Sequence, residues 1–480
     1  MNNKVYHAGV ARADITPPVG IRLIGYTVRE GVSHGVDEPL TATVLVLRGG
    51  GTTVAIIAHD WAIAFMDFAS KLRQRCARVL GIPAANVLIN FNHTHSGPVV
   101  PDFMPYDTPE QLAMQAQHGE EMSVRLEKAC REAVANLQPA RLAVGWGECR
   151  GNINRRQKMP DGMVLLGEDP DGACDHSVGV LRVDKLDGMP LAVVFRYSCH
   201  TVTLGPKTNL ISPDYAGAAR SVIEHVLGCP SLFLQGCAGN VNPATGIGQD
   251  PDGSPTLRED KNRLGHMLGG EVLKVCGTLR THRQRKEPEL VKSVAVYWLY
   301  QYEDTKPGKE GSIRVTETTL KLPLVPFPSL AEVQKERDEW AAKLAKTEKS
   351  GAREWDWRVA KRFDVWSQRR LDAAKRGPNP MVVDVPLQVI EIGDLAFVAL
   401  PMELMSETGF ALRAALPKRE LFVLGYSNGM ISYLPTPEVS REGGMESKLA
   451  YKAYFVPAEI PGDWEPVIKQ KALEMLKRDS

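Results

Sequence analysis

The sequence predicts an α/β fold of layered, mixed β-sheets with flanking helices, in a chain of 480 residues long enough for one large domain or two to three ordinary ones. Three observations predict it. Short apolar runs rich in β-branched residues alternate with longer amphipathic stretches through roughly the first 300 residues. The longest such runs, among them Thr53–Ala58 and Leu395–Leu400, are far too short to span a bilayer. A segment dense in Lys, Arg, Glu and Ala, Leu330–Arg376, interrupts the alternation, and the β pattern resumes after Pro378-Asn379-Pro380.

The elements follow in order. Thr43–Leu47 and Val54–Ala58 flank Arg48-Gly49-Gly50-Gly51-Thr52, which reads as a hairpin. Asp67–Leu80 has helical spacing and stops at Gly81-Ile82-Pro83. Val87–Phe91 is a strand, and Gln111–Leu137 is long enough for one or two helices. Further strands are expected at Leu142–Gly145, Val178–Val183 and Leu191–Ser198, and a helix at Ala216–Leu227. Leu330–Arg376 reads as an inserted helical hairpin broken near Lys349-Ser350-Gly351. Trp340, Trp355, Trp357 and Trp366 either dock it on the domain or make it a lid. Val382–Ile392 and Leu395–Leu400 are strands, with a helix from about Glu403 to Leu416.

Hydrophobic content of 43% and charged content of 24% are those of a globular protein, and a net charge of +1 provides no global field for nucleic acid or acidic lipid. No nucleic-acid partner and no stable membrane insertion are expected. The eight cysteines include no C-x-x-C pair, which suits reduced thiols. With no signal-peptide pattern at the N-terminus, the expected location is cytoplasmic. Tyr451–Pro457 could serve the core or a partner, leaving a homo-oligomer open.

Six places could carry chemistry. Val87–Phe91 runs into Asn92-His93-Thr94-His95-Ser96-Gly97-Pro98; if the backbone stays extended, His93 and His95 share a face. Cys199-His200 closes another strand, where a lone histidine is equally a hydrogen-bonded core residue. Asp214 is either a helix cap or a partner orienting a histidine. Leu232–Pro243 passes from strand to glycine-rich loop but lacks the G-K-[ST] of a phosphate loop. Glu403 follows a buried strand at an expected helix start, and Tyr426–Glu438 is a loop that holds Tyr433.

Taken in order, these pieces resemble the catalytic domain of the neutral/alkaline, non-lysosomal ceramidases. The resemblance rests on Ala11-Arg12-Ala13-Asp14-Ile15-Thr16-Pro17, Ile24-Gly25-Tyr26, the His93–Pro98 element, Asn152-Ile153-Asn154-Arg155 and Val178-Gly179-Val180-Leu181-Arg182. It continues through His200, Gly239-Asn240-Val241-Asn242-Pro243, Pro401-Met402-Glu403 and Tyr433. The resemblance implies one Zn2+ per chain held by His93, His200, Glu403 and Tyr433, with His95, Arg155 and Tyr433 serving catalysis. It implies hydrolysis of an N-acyl amide by a metal-activated water. Glu403 as general base is the alternative to its role as ligand.

Three departures bear on the substrate. Asn242 stands where the family's loop carries a serine, which disfavours a serine nucleophile. The chain has no room after Tyr433 for the family's C-terminal immunoglobulin-like domain, and Arg441-Glu442-Gly443-Gly444-Met445-Glu446 replaces a Y-E-G-A-S-like run. The expectation is therefore a zinc-dependent amidohydrolase acting on a small-molecule amide. The alternatives are an esterase, lactonase or carbohydrate-directed hydrolase on the same metal, and a non-catalytic metal-binding homologue.

Overall fold

The computed structural model describes residues 4–100 and 103–477. Two β-sheets pack face to face, and helices cover both outer faces. The larger sheet runs, edge to edge, through Ser231–Gln235, Pro190–Tyr197, Ser177–Lys185, Gln138–Glu148, Tyr6–Asp14, Thr41–Gly49, Thr52–His59 and Val87–Phe91. The smaller runs through Ile313–Pro323, Val382–Ile392, Leu395–Ala399 and Glu420–Leu424.

Strand alternation builds these layers. On Thr41–Gly49, Val44 and Val46 face a core shared with helices Met66–Leu80 and Pro109–Ala135. Leu45 and Leu47 face the opposite way, into a core between the sheets that also takes Ile390, Phe397 and Phe422. The second sheet repeats this, presenting Val389, Val398 and Val423 to the C-terminal helix Trp464–Lys477. Strands buried on both faces show continuous apolar runs, which is how they read in the sequence.

Local chemistry sets the helix ends. Met66–Leu80 stops at Gly81, whose left-handed φ of 67° is a conformation glycine adopts without a Cβ penalty. Pro109–Ala135 is one helix, capped by the Thr108 hydroxyl accepting from the Gln111 amide. Leu330–Lys349 begins with a Ser329/Glu332 capping box and packs on Glu354–Arg376, with the Trp340 and Phe363 rings 4.7 Å apart. Of the four tryptophans there, only Trp366 is fully buried, donating to the Val456 carbonyl at 2.8 Å. The Tyr451–Pro457 segment is core: Tyr451, Phe455 and Val456 pack under the second sheet's helices. An exposed ribbon, with Arg283–Arg285 paired to Tyr302–Asp304 and Glu289–Lys292 to Val296–Leu299, had no distinct signal in the sequence.

Three parallel strand pairs place the site. Thr52–His59 pairs with Val87–Phe91 across the first helix, Pro190–Tyr197 with Ser231–Gln235 across Tyr215–Leu227, and Leu395–Ala399 with Glu420–Leu424 across Ser406–Ala415. Sites in α/β sheets collect beyond the carboxyl ends of such strands. Here three sets of ends meet, tied by Asn90, whose amide donates to the carbonyls of Gln235 and Gly425 and to the Ser427 hydroxyl.

Candidate active site

The chain leaves the strand at Phe91 and turns sharply. His93 has φ 65°, so the extended backbone expected across His-Thr-His is not what brings the two rings together. The reason is local. Asn92 accepts from the Thr94 amide and donates to Asp60, while the His93 amide is anchored on the Trp61 carbonyl. That corner swings His93 and His95 into one space, with their Nε2 atoms 3.2 Å apart.

Each ring is held from behind. His93 Nδ1–H donates to the Ala62 carbonyl at 3.0 Å, and His200 Nδ1–H to those of Ala238 at 2.8 Å and Val241 at 3.1 Å. A neutral imidazole with its proton on Nδ1 offers a lone pair at Nε2. Burial is the main cause that lowers the pKa of both rings, to about 4 for His200, so both are neutral at pH 7. His95 is likewise held well below its ordinary value, by burial first and then by His93 and His200.

Glu403 does not start a helix. It lies on the short strand Met402–Leu404, whose parallel partner Ser432–Leu434 puts Tyr433 directly beside it, and the following helix begins at Ser406. Register partners project to the same face, so acid and phenol enter the site together. Glu403 Oε2 stands 3.6 Å from His93 Nε2 and 3.3 Å from His200 Nε2. Tyr426 donates to the same oxygen at 3.0 Å, and Tyr454 donates to the other. Burial raises the Glu403 pKa, but His93, His200 and the Tyr454 hydroxyl more than offset it, leaving the carboxyl ionised.

Arg155 lies on the strand Asn152–Lys158 and spans the opposite wall. It donates to Tyr433 Oη at 3.0 Å, stands 3.1 Å from His200 Nε2, and pairs through Nε with Glu446 at 3.2 Å. Asn242 Oδ1 accepts from it at 3.4 Å. Tyr433 Oη lies 3.4 Å from His200 Nε2, and burial keeps its hydroxyl protonated far above the usual range. All six residues expected at the site (His93, His95, Arg155, His200, Glu403 and Tyr433) line one cavity of about 260 Å³ with mainly apolar walls. Asp214 is not among them: it caps Tyr215–Leu227, accepting from the Tyr215 amide and the Thr203 hydroxyl.

The donor set fits a zinc ion. The Nε2 atoms of His93, His95 and His200 lie within 4.8 Å of one another, and Glu403 Oε2 and Tyr433 Oη add oxygens at 3.3–3.6 Å. Ligand atoms around a tetrahedral zinc with bonds of about 2.0 Å stand roughly 3.3 Å apart, and two imidazoles with a carboxylate are ordinary zinc ligands.

Several site residues were not legible as such. Tyr454 was hidden in an apolar segment, and Glu446, paired with both Arg155 and Arg156, lies in the run that departs from the family pattern. Gly25 stood in a quoted motif, but its role emerges only in space. Its φ is 105°, and a Cβ there would fall 2.4 Å from the His95 ring.

Comparison with known proteins bears on the fold and the family. The family model described as neutral/alkaline non-lysosomal ceramidase, N-terminal, matches residues 6–239. A neutral ceramidase of Pseudomonas aeruginosa is 28% identical over 253 residues, which cover 50% of this chain and 37% of that protein's length. Neutral ceramidase B of Dictyostelium discoideum is 23% identical over 492 residues, covering 90% of this chain and 68% of that protein. The crystal structure of the Pseudomonas aeruginosa neutral ceramidase superposes over 99% of this chain and 74% of that one with a TM-score of 0.67 at 19% identity, a likeness of fold. Over residues 6–239, just under half of its length, the chain is similar to the neutral/alkaline non-lysosomal ceramidase family, and its fold resembles that of a solved member.

Proposed function

We propose that the protein is a zinc-dependent hydrolase cleaving the amide bond of a small N-acyl substrate. The supporting observation is the convergence of neutral imidazole nitrogens and an ionised carboxylate, 3.2–3.6 Å apart, on the wall of an apolar cavity. His93, His200 and Glu403 would hold one ion, with Tyr433 as the weakest of four ligands. When bound, such an ion polarises a carbonyl and lowers the pKa of water to about 7.

The chain's own residues supply the rest. Arg155 and the protonated Tyr433 present N–H and O–H donors where an amide oxygen gains negative charge. His95, neutral and with no partner at Nδ1, can hold a proton and pass it to the departing amine. Glu403 has both oxygens engaged by tyrosine hydroxyls, which supports ligand over general base. The relatives are named ceramidases. A cavity of about 260 Å³ supports a short acyl group within the protein and leaves no room there for two long chains. A cytoplasmic location belongs to the same proposal, supported by eight unpaired cysteines.

The test is elemental analysis combined with turnover of matched N-acyl amides and esters before and after chelation. About one zinc per chain is expected, with amide turnover abolished by the chelator and restored by zinc. Undiminished turnover after complete metal removal overturns the proposal, and ester-only turnover moves the reading to an esterase.

Gly25→Ala tests the role of His95. With its Cβ against the ring, kcat/KM is expected to fall about tenfold or more, while Gly20→Ala, at φ 98° with open space around it, carries the backbone strain alone. Equal losses in the two variants would assign the whole effect to backbone strain.

A further inference from the structure

We infer that the substrate carries a carboxylate and that Arg362 receives it. The inference rests on the amide-hydrolase reading and adds the charge of what is cleaved. Arg362 projects from the helix Glu354–Arg376 into the wall of the cavity that His93 and His95 also line. It is 5% exposed. Its Nη1 donates to the Ala453 carbonyl at 2.6 Å, and its Nη2 to the Phe103 carbonyl at 3.1 Å and to Met104 Sδ at 2.8 Å. The guanidinium stacks near the rings of Phe103 and Phe455, and its Nε–H has no acceptor.

Among the described residues no carboxylate pairs with Arg362, and Asp107, whose charge acts on it, is bound to Arg22. Most buried arginines here have a carboxylate partner: Arg155 pairs with Glu446, Arg196 with Asp175, Arg220 with Asp60. Among the described residues, Arg29, Arg141 and Arg362 are buried without a paired carboxylate, and of these only Arg362 lines the cavity. Backbone carbonyls satisfy N–H groups but leave the desolvated charge uncompensated, an arrangement costly to maintain. The other charges around the cavity do not help, because Arg155 is already matched by Glu446, and Glu403 faces the histidines. A bound metal would add further positive charge. The Arg362 end of the space is thus apolar and carries an unmatched positive charge, and the complement is a short acyl amide bearing a carboxylate, the group a guanidinium fork recognises best.

Matched pairs test this on the full chain. N-hexanoylglycine against N-hexanoylglycinamide places the anion on the amine side, and the propylamide of adipic acid against that of hexanoic acid places it on the acyl side. One anionic member is expected to be favoured about 30-fold in kcat/KM. Arg362→Met should erase that ratio, chiefly through KM, and Arg362→Lys should recover part of it. Calorimetric binding of the same four compounds to wild type gives a readout if no amide is turned over, so failure of the hydrolase reading and failure of the charge assignment are separable. Equal or better handling of the neutral members by wild type, or a preference that survives in Arg362→Met, overturns the inference and leaves Arg362 a structural tie between helix and loops.

Discussion

His200→Ala is expected to lose bound zinc and to lower kcat/KM for an amide substrate by about a thousandfold or more. A metal contributes several kcal/mol to stabilising charge in amide hydrolysis, and each ~1.4 kcal/mol is tenfold in rate. His200 brings three parts together: its Nε2 lies beside Glu403, Arg155 and Tyr433, and its Nδ1–H fixes it to the loop carrying Asn242. Removing the ring also frees two buried carbonyls, at a cost of roughly 1–3 kcal/mol, so thermal unfolding must be recorded alongside. Zinc content, turnover and melting temperature on one preparation check the prediction. A variant free of metal that hydrolyses at the wild-type rate would end the metal-dependent reading.

Asp60→Ala is expected to destabilise the fold by about 3–5 kcal/mol, the range for stranding one member of a buried ion pair. Asp60 is 1% exposed, and its two oxygens accept from Arg220 at 2.8 and 2.7 Å. The same oxygens accept from the Asn92 amide at 2.8 Å and from the Thr41 amide at 2.8 Å. Losing the carboxylate leaves the Arg220 guanidinium buried and unmatched, and unpins the corner that places His93. A lower urea midpoint is therefore expected, together with reduced turnover in the surviving folded protein. Pairing the change with Arg220→Leu should recover much of the stability, because the stranded charge is gone, but not the turnover, because Asn92 remains unheld. A full rescue of both would show that Asp60 acts on stability alone.

The residues themselves made much of this visible. Val87–Phe91 is a strand from end to end as read, since a run that is apolar on both faces admits little else before a polar turn. His93, His95 and His200 could be singled out because a polar, titratable side chain at the end of an apolar strand has few structural uses. Glu403 and Tyr433 were visible as candidates, but their roles came through resemblance, because nothing in their local sequence announces that two short strands pair in register. The left-handed turn at His93 was illegible for a related reason: it is imposed by Asp60 and Trp61, held on a neighbouring strand end, and not by the His-Thr-His run. Tyr454 and Glu446 were obscured because contacts across the fold, not spacing along the chain, decide which polar group in an apolar or charged run turns inward.

The dispersal of the site along the chain has a consequence for biogenesis. Gly25, His93, Arg155 and His200 lie in the first half of the chain, whereas Glu403, Tyr426, Tyr433 and Tyr454 lie beyond residue 400. A nascent chain emerging from the ribosome folds from its N-terminus onward, so it presents three imidazoles well before any carboxylate can join them. The Glu403 strand can dock only once Ser432–Leu434 has been synthesised to pair with it. On the metal-dependent reading, loading of an ion would therefore belong to the last stage of maturation, once the Glu403 strand has docked. Occupancy of the site would then record completed folding, and chains released early would carry the histidines without the carboxylate that completes the set.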